Sequence, residues 1–146
     1  MERDKRWLGW SLRAGSLYFF LVSVAHAIGI KVPGLFIYFD VPSYAYQDRI
    51  IAFLSLGWSI LFWVVAIEPG SNRKLLHAVL LMGCTGVIGL GLINLTTDFE
   101  SLKEGLQPAY YWLETAVLAV YLLVLIILSM RLGRGTRVFN PEIKND

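Results

Sequence analysis

The polar side chains that could do chemistry in this sequence are few, and they stand inside or beside long apolar stretches. His26, Asn94 and Glu114 lie within such stretches, and Asp48 directly precedes another. An ionisable group inside a membrane is costly, so such groups face the protein interior and mark candidate functional sites. Counting from the predicted helix ends places His26 and Glu114 about one turn below one membrane surface. Asn94 lies near the same end of the third helix, and Asp48 stands at the start of the second. We therefore predict one outer polar layer to which every span contributes a group.

Several chemistries fit this layer, which also includes Tyr110 and Tyr111. A histidine with carboxylates could bind a divalent metal, but these ligands are dispersed along the chain, and we predict no metal site. A His–Glu pair could shuttle a proton or protonate a lipid-like substrate. Aromatic rings over a buried carboxylate could hold a cationic or amphipathic molecule. A purely structural network of hydrogen bonds or a salt bridge accounts for the same residues equally well, and no catalytic residue is assigned.

The sequence carries no motif of a known catalytic or cofactor-binding site. It has no P-loop, no dinucleotide fingerprint and no nucleophile elbow. His26 and His77 lie near opposite ends of the predicted bundle, roughly 15–20 Å apart along the membrane normal, and cannot ligate one haem iron. Cys84 has no cysteine partner and is predicted to be a small buried side chain. We expect no cofactor and favour a non-enzymatic protein.

The elements that must position these residues follow from the composition. The chain has 146 residues, of which 56% are hydrophobic and 16% are charged, against roughly 25% charged in ordinary globular proteins. This composition excludes a disordered chain, and a single cysteine excludes a disulfide scaffold. The net charge of +2, with no basic face, argues against a nucleic-acid partner. The composition indicates an integral membrane protein whose first partner is the lipid bilayer.

Four apolar runs are each close to the roughly 20 residues that cross a hydrocarbon core. They predict transmembrane helices over residues 12–31, 49–67, 74–96 and 109–131. None of the runs alternates as a barrel strand would. The predicted fold is therefore an all-α bundle of four transmembrane helices in a single domain. A short apolar segment at 35–39 is predicted to lie in the interface or to cap a cavity, and residues 132–146 are predicted to form a flexible tail.

Lysines and arginines set the predicted orientation. They are concentrated in the N-terminal flank, in the second loop and in the C-terminal tail, whereas the first and third loops carry only Lys31, Arg49 and Lys103. By the positive-inside rule both termini are cytoplasmic. The predicted location is the cell (inner) membrane.

Small residues predict where helices approach one another. Ser55 and Ser59 share a stripe on the second helix, and Gly83 and Gly86 share a face of the third. Such stripes let helix backbones pack closely in lipid. Because the third span holds four glycines, we expect it to be the central helix of the bundle.

The run Leu17-Tyr18-Phe19-Phe20, which leads to His26, resembles small four-helix membrane families that include the sterol-isomerase and sigma-2-receptor-like group. The resemblance implies four spans, cytosolic termini and a ligand cavity with carboxylate or histidine groups. The chain departs from the pattern because no acidic residue closely follows His26, unless Asp40 serves. Its loop between the third and fourth spans is also very short.

The favoured hypothesis is a non-enzymatic accessory or partner-binding protein that joins another membrane protein or a second copy of itself. Glycine faces on the third helix that its own bundle cannot use would support it. The alternative is a protein that binds a lipid or small amphiphile in the polar layer, or an isomerase-like enzyme. A transporter ranks last, because four spans are few for alternating access and no inverted repeat is visible.

Overall fold

The computed structural model describes the backbone of residues 2–138 and the side chains of residues 2–133. The described chain is helical, with elements α1 (Glu2–Ala27), α2 (Ala45–Ile67), α3 (Arg73–Thr96), α4 (Phe99–Leu102) and α5 (Pro108–Val138). The four long helices are each long and apolar enough to cross a membrane. The predicted all-α fold is confirmed, and no named strand occurs within residues 2–138.

The helices extend beyond the predicted spans at several ends. α1 already begins at Glu2 rather than at residue 12, because a charged segment outside the apolar stretch can still be helical. α5 continues past residue 131 to Val138, so part of the predicted tail is helix, and residues 139–146 lie outside the described residues. The single-turn helix α4 was not predicted, and the Asp98 side chain caps it by accepting a hydrogen bond from the Ser101 backbone N–H at 3.4 Å.

The main core lies at the end of the bundle that holds the N-terminus and the turn between α2 and α3, which we call the terminal end. All four long helices contribute to this core. Its buried residues are Leu8, Leu12, Phe62, Val65, Ala66, Leu76, Val79, Leu125 and Leu132. The opposite end, where α1 passes to α2 and α3 passes to α5, is the loop end.

A pair of serines joins α1 to α2. Ser16 Oγ donates to the Ser59 carbonyl at 2.8 Å, and Ser59 Oγ donates to the Ser16 carbonyl at 2.9 Å. Both side chains are buried, as is Ser55, one turn from Ser59. Each serine therefore satisfies its polar atom in the interface, which is how small polar residues bring helices together in lipid.

Gly15 provides the space in which α1, α2 and α5 meet. A Cβ atom at this position would lie 2.6 Å from Phe62 Cδ1 and would also collide with the Tyr121 hydroxyl. That hydroxyl donates to the Ser11 carbonyl at 2.8 Å. The absence of a side chain at Gly15 thus lets a tyrosine of α5 reach the backbone of α1.

The expectation that the third span is central is wrong. In the most apolar stretch of α1, 44% of the residues are buried, whereas in that of α3 only 11% are buried. Gly83 packs on α5, where a Cβ would lie 2.8 Å from Leu122 Cδ1, but a Cβ at Gly86 would meet nothing within 4 Å. Glycine permits a close approach without supplying a neighbour, and α1, not α3, is the most buried of the four spans.

Candidate functional site

The loop end is closed by residues 28–44, which we call the capping loop. Gly29 and Gly34 have φ values of 73° and 77°, a left-handed conformation that favours glycine and lets the loop turn back. Phe36 is buried against Val22 and Ala25 of α1. Residues 35–39 therefore pack on the protein and cover the ends of the helices, rather than extending away from the bundle.

Lys31 ties the two ends of the capping loop together. Its Nζ donates to the Val41 carbonyl at 2.9 Å and to Ser43 Oγ at 2.7 Å. Ser43 Oγ in turn lies 3.1 Å from both carboxylate oxygens of Asp48, at the start of α2. The loop is thus closed on itself and joined to the helix that follows it.

His26 and Asp48 form the polar rim at the ends of α1 and α2. His26 Nδ1 lies 3.0 Å from Asp48 Oδ1, and the two side chains are only 13% and 14% exposed. The imidazole ring also packs on Phe36, with the ring centroids 4.3 Å apart. Because the carboxylate engages Nδ1, Nε2 is the ring nitrogen left to hydrogen-bond another molecule.

Tyr38 connects the capping loop to α3. Its hydroxyl donates to Asn94 Oδ1 at 2.7 Å, and Asn94 Nδ2 donates to Thr115 Oγ1 of α5 at 3.1 Å. Burial raises the pKa of the Tyr38 hydroxyl above its ordinary value, so the group remains a hydrogen-bond donor at neutral pH. Asn94 therefore holds the loop and joins α3 to α5 at the same time.

Tyr111 connects the loop to α5. Its side chain is completely buried, and its hydroxyl donates to Asp40 Oδ1 at 2.6 Å. Its ring lies against those of Tyr38 and Phe99, with centroids 5.1 Å and 4.8 Å away. The hydrogen bond to an acidic residue is charge-assisted, and these are the stronger kind.

Glu114 lies beneath the capping loop. The backbone N–H of Gly34, in the capping loop, interacts favourably with its carboxyl group. The oxygen Oε2 is buried and is the only such side-chain atom in the described chain with no hydrogen-bond partner. The carboxyl group therefore keeps one free acceptor at the junction of α5 and the loop.

The predicted polar layer is thus the set of points that anchor the capping loop. Five of its six residues contact loop residues: His26, Asp48, Asn94, Tyr111 and Glu114. The sixth, Tyr110, is 52% exposed and does not join the others. The layer divides into separate small groups, and among the described residues no three His, Cys, Asp or Glu side chains could hold a metal ion.

Sequence reasoning missed the loop residues that partner this layer. Tyr38, Asp40 and Ser43 supply these partners, and Thr115 completes the bridge between α3 and α5. The signal was present, because polar side chains inside an otherwise apolar loop need partners when the loop is buried. What the sequence could not supply was their pairing across distant segments.

A cavity of about 360 Å³ lies between the capping loop and the helices. Its deep wall is apolar and comes from all four long helices: Phe19, Val22, Ile51, Leu90 and Leu118. Its polar lining is concentrated in the connected group of His26, Lys31, Ser43 and Asp48. Phe19 lies about 10 Å below His26 along α1, at 1.5 Å per residue. This loop-end cavity is therefore apolar in its depth and polar at its rim.

No protein-family model, no curated protein and no solved structure matches this chain.

Proposed function

We propose that this small multi-pass membrane protein binds one amphiphilic molecule in the loop-end cavity. The observation that carries the proposal is the gradient of polarity, from an apolar floor at Phe19 and Leu118 to a hydrogen-bonding rim at His26 and Asp48. A cavity of about 360 Å³ lies in the usual range for small-molecule sites, roughly 300–1,000 Å³. The apolar part of the ligand occupies the depth, and its polar group meets the rim.

The polar layer has a supporting role in this proposal. Tyr38 and Asp40 already have partners in Asn94 and Tyr111, and these contacts hold the cover of the cavity in place. The rim can still bind, because Nε2 of His26 remains available beside the Asp48 carboxylate. This arrangement supports binding more than catalysis. The polar groups at the cavity are already hydrogen-bonded to one another, as His26 is to Asp48, and such a rim can hold a headgroup.

Three single-chain amphiphiles with the same tail and different headgroups test the proposal. Diazirine-tagged dodecanol, dodecanoic acid and dodecylamine are photo-crosslinked to the protein in lipid nanodiscs, and the labelled peptides are mapped. We expect saturable labelling of the α1 segment that contains Val22 and of the capping loop. The headgroup that labels most strongly identifies the chemistry read by His26 and Asp48.

Val22→Trp fills the cavity and should abolish saturable labelling, because Val22 lines its wall. Leu113→Trp is the matched control, since Leu113 is 60% exposed on the outside of α5. His26→Ala should weaken labelling by the preferred headgroup more than by the other two. Labelling that is confined to exposed helix surfaces, or that is unchanged in Val22→Trp, would refute the proposal.

A second candidate, a partner-binding protein, is favoured by the outer surface of α3. A Cβ at Gly86, Gly89 or Gly91 would meet nothing within 4 Å. No other helix of the described chain therefore packs closely against α3 at these glycines. Glycines of this kind let a second transmembrane helix approach. The occupant would be another membrane protein or a second copy of this chain.

Substitutions on α3 separate this candidate from ligand binding. Gly86→Leu and Gly89→Leu should eliminate crosslinking to any neighbouring chain in native membranes, while the monomer remains as stable as the wild type. Gly57→Leu on α2 is the control, because this glycine also has open surroundings. A monomeric protein with no crosslinked neighbour would exclude the partner-binding function.

A further inference from the structure

A second cavity, of about 200 Å³, lies at the terminal end of the bundle, far from the capping loop. One of its walls is the first three turns of α1, and the other is the end of α2 with Pro69. Gly9 of α1 faces the wall formed by α2, and a Cβ on it would lie 3.5 Å from the Ala66 carbonyl oxygen. We call this cavity the terminal groove.

The residues of α1 that line the terminal groove share one helix face. Lys5, Arg6, Gly9 and Arg13 follow the spacing that places side chains in neighbouring turns on the same side. Arg13 stacks on Trp10, with its guanidinium carbon 5.2 Å from the ring centroid. The contact with Trp10 holds the Arg13 guanidinium beside the groove. Arg13 lies about 10 Å beyond Arg6 along α1, at 1.5 Å per residue.

The charges of the terminal groove do not neutralise one another. Three cationic side chains and one carboxylate, Glu2, line it. None of the cations forms an ion pair within the described part of the chain. Lys5 is half-buried beside Gly70, so its charge is held next to the groove rather than spread in solvent. An excess of two positive charges along the groove favours an anionic occupant.

We propose that the terminal groove binds the phosphate headgroup of one anionic phospholipid. Lys5 and Arg6 hold the phosphate, and Arg13 lies deeper, toward the acyl chains. Basic pockets between transmembrane helices are suited to anionic headgroups. Unlike a zwitterionic headgroup, an anionic one carries no positive charge that the basic side chains would repel. The open side of the groove adjoins the exposed surfaces of Trp10 and Ile67, where lipid tails can pack. This proposal does not depend on the loop-end cavity.

Native mass spectrometry of the full chain in detergent tests the proposal. The protein is titrated with phosphatidylglycerol, with phosphatidylcholine and with inorganic phosphate. We expect one saturable phosphatidylglycerol adduct, a much weaker phosphatidylcholine adduct and no displacement of lipid by millimolar phosphate. Displacement by phosphate would show a site for free anions and overturn the lipid assignment.

The variant Lys5→Gln/Arg6→Gln should raise the Kd for phosphatidylglycerol roughly thirtyfold, because each cation near the headgroup strengthens binding substantially. Arg3→Gln/Lys74→Gln is the matched control: it removes the same charge from the terminal end, but neither residue lines the groove. Its Kd should change by less than about threefold. Equal losses in the two variants would show general surface attraction instead of a site.

Glu2→Gln guards against a loss that merely reflects misfolding. Glu2 is the carboxylate that lines the groove, so its neutralisation should tighten phosphatidylglycerol binding several-fold. A misfolded chain would not gain affinity. Unchanged or weaker binding in Glu2→Gln would overturn the proposal.

Discussion

The two ends of the bundle are held together in different ways. At the terminal end, helices pack directly on one another through a continuous apolar core. At the loop end, the capping loop covers the helices through two small apolar clusters, around Phe36 and Phe99, and through hydrogen bonds such as those of Tyr38 and Tyr111. A cavity of about 360 Å³ remains beneath that loop.

This difference separates stability from binding. Close-packed helices tolerate little change in volume, since protein interiors have the density of organic crystals. A loop held by small apolar clusters and a few hydrogen bonds can open without unfolding the helices beneath it, because local openings cost less than global unfolding. We therefore expect the terminal core to dominate the stability of the bundle and the capping loop to open at a lower cost in free energy.

The substitution with the largest predicted effect disrupts the close packing of α1 with α2 and α5. Gly15→Leu would place side-chain atoms where Phe62 and Tyr121 lie, and we expect a loss of about 3 kcal/mol of unfolding free energy. Reversible unfolding in mixed micelles measures it. Gly57→Leu is the control, because a side chain there points into open space. Equal stability of the two variants would contradict the assigned packing at Gly15.

A substitution with an intermediate effect weakens the attachment of the capping loop and leaves the terminal core intact. Tyr111→Phe removes the donor to Asp40, and we expect amides of the loop to exchange about thirtyfold faster, which corresponds to about 2 kcal/mol. Hydrogen exchange with mass spectrometry measures this change, and global unfolding should hardly shift. Tyr110→Phe is the adjacent control, since its side chain is exposed. Exchange that stays unchanged in Tyr111→Phe would show that the loop is held elsewhere.

The smallest effect concerns the serine pair between α1 and α2. A double-mutant cycle of Ser16→Ala and Ser59→Ala should give a coupling energy of about 0.6 kcal/mol, because the two Oγ atoms also lie 3.2 Å apart and can hydrogen-bond each other. Unfolding free energies of the four proteins measure it. Additive losses would show that each hydroxyl acts only through its own bond to the opposite backbone carbonyl.

The helices were predictable from the sequence, and their arrangement was not. Apolar runs identify the spans because every backbone polar group in lipid must be satisfied within a helix. The position of α3 was wrongly expected to be central, because glycines such as Gly86 show where a helix could approach but not whether one does. Contacts between α1 and α2 depend on helix rotation, which short-range spacing leaves open.

The sequence indicated the end of the bundle at which the candidate site lies, but of the six predicted residues only His26 and Asp48 line the loop-end cavity. Depth along each span indicated that His26, Asp48, Asn94 and Glu114 would lie at one level, and the structure places each of them against the capping loop. Their division into separate groups follows from partners in that loop. Pairings such as Tyr38 with Asn94 join residues far apart in sequence and carry no periodic signal.

The serine-linked pairing of α1 with α2 also has a consequence for biosynthesis. These two helices leave the ribosome before α3 and α5, and their shared contacts include the reciprocal Ser16–Ser59 bonds, which need nothing from later residues. Chains are made N-terminus first, so an early hairpin can assemble while the remainder is still being translated. α3 and α5 can then dock on the surface of this hairpin, where the space at Gly15 accommodates the Tyr121 side chain.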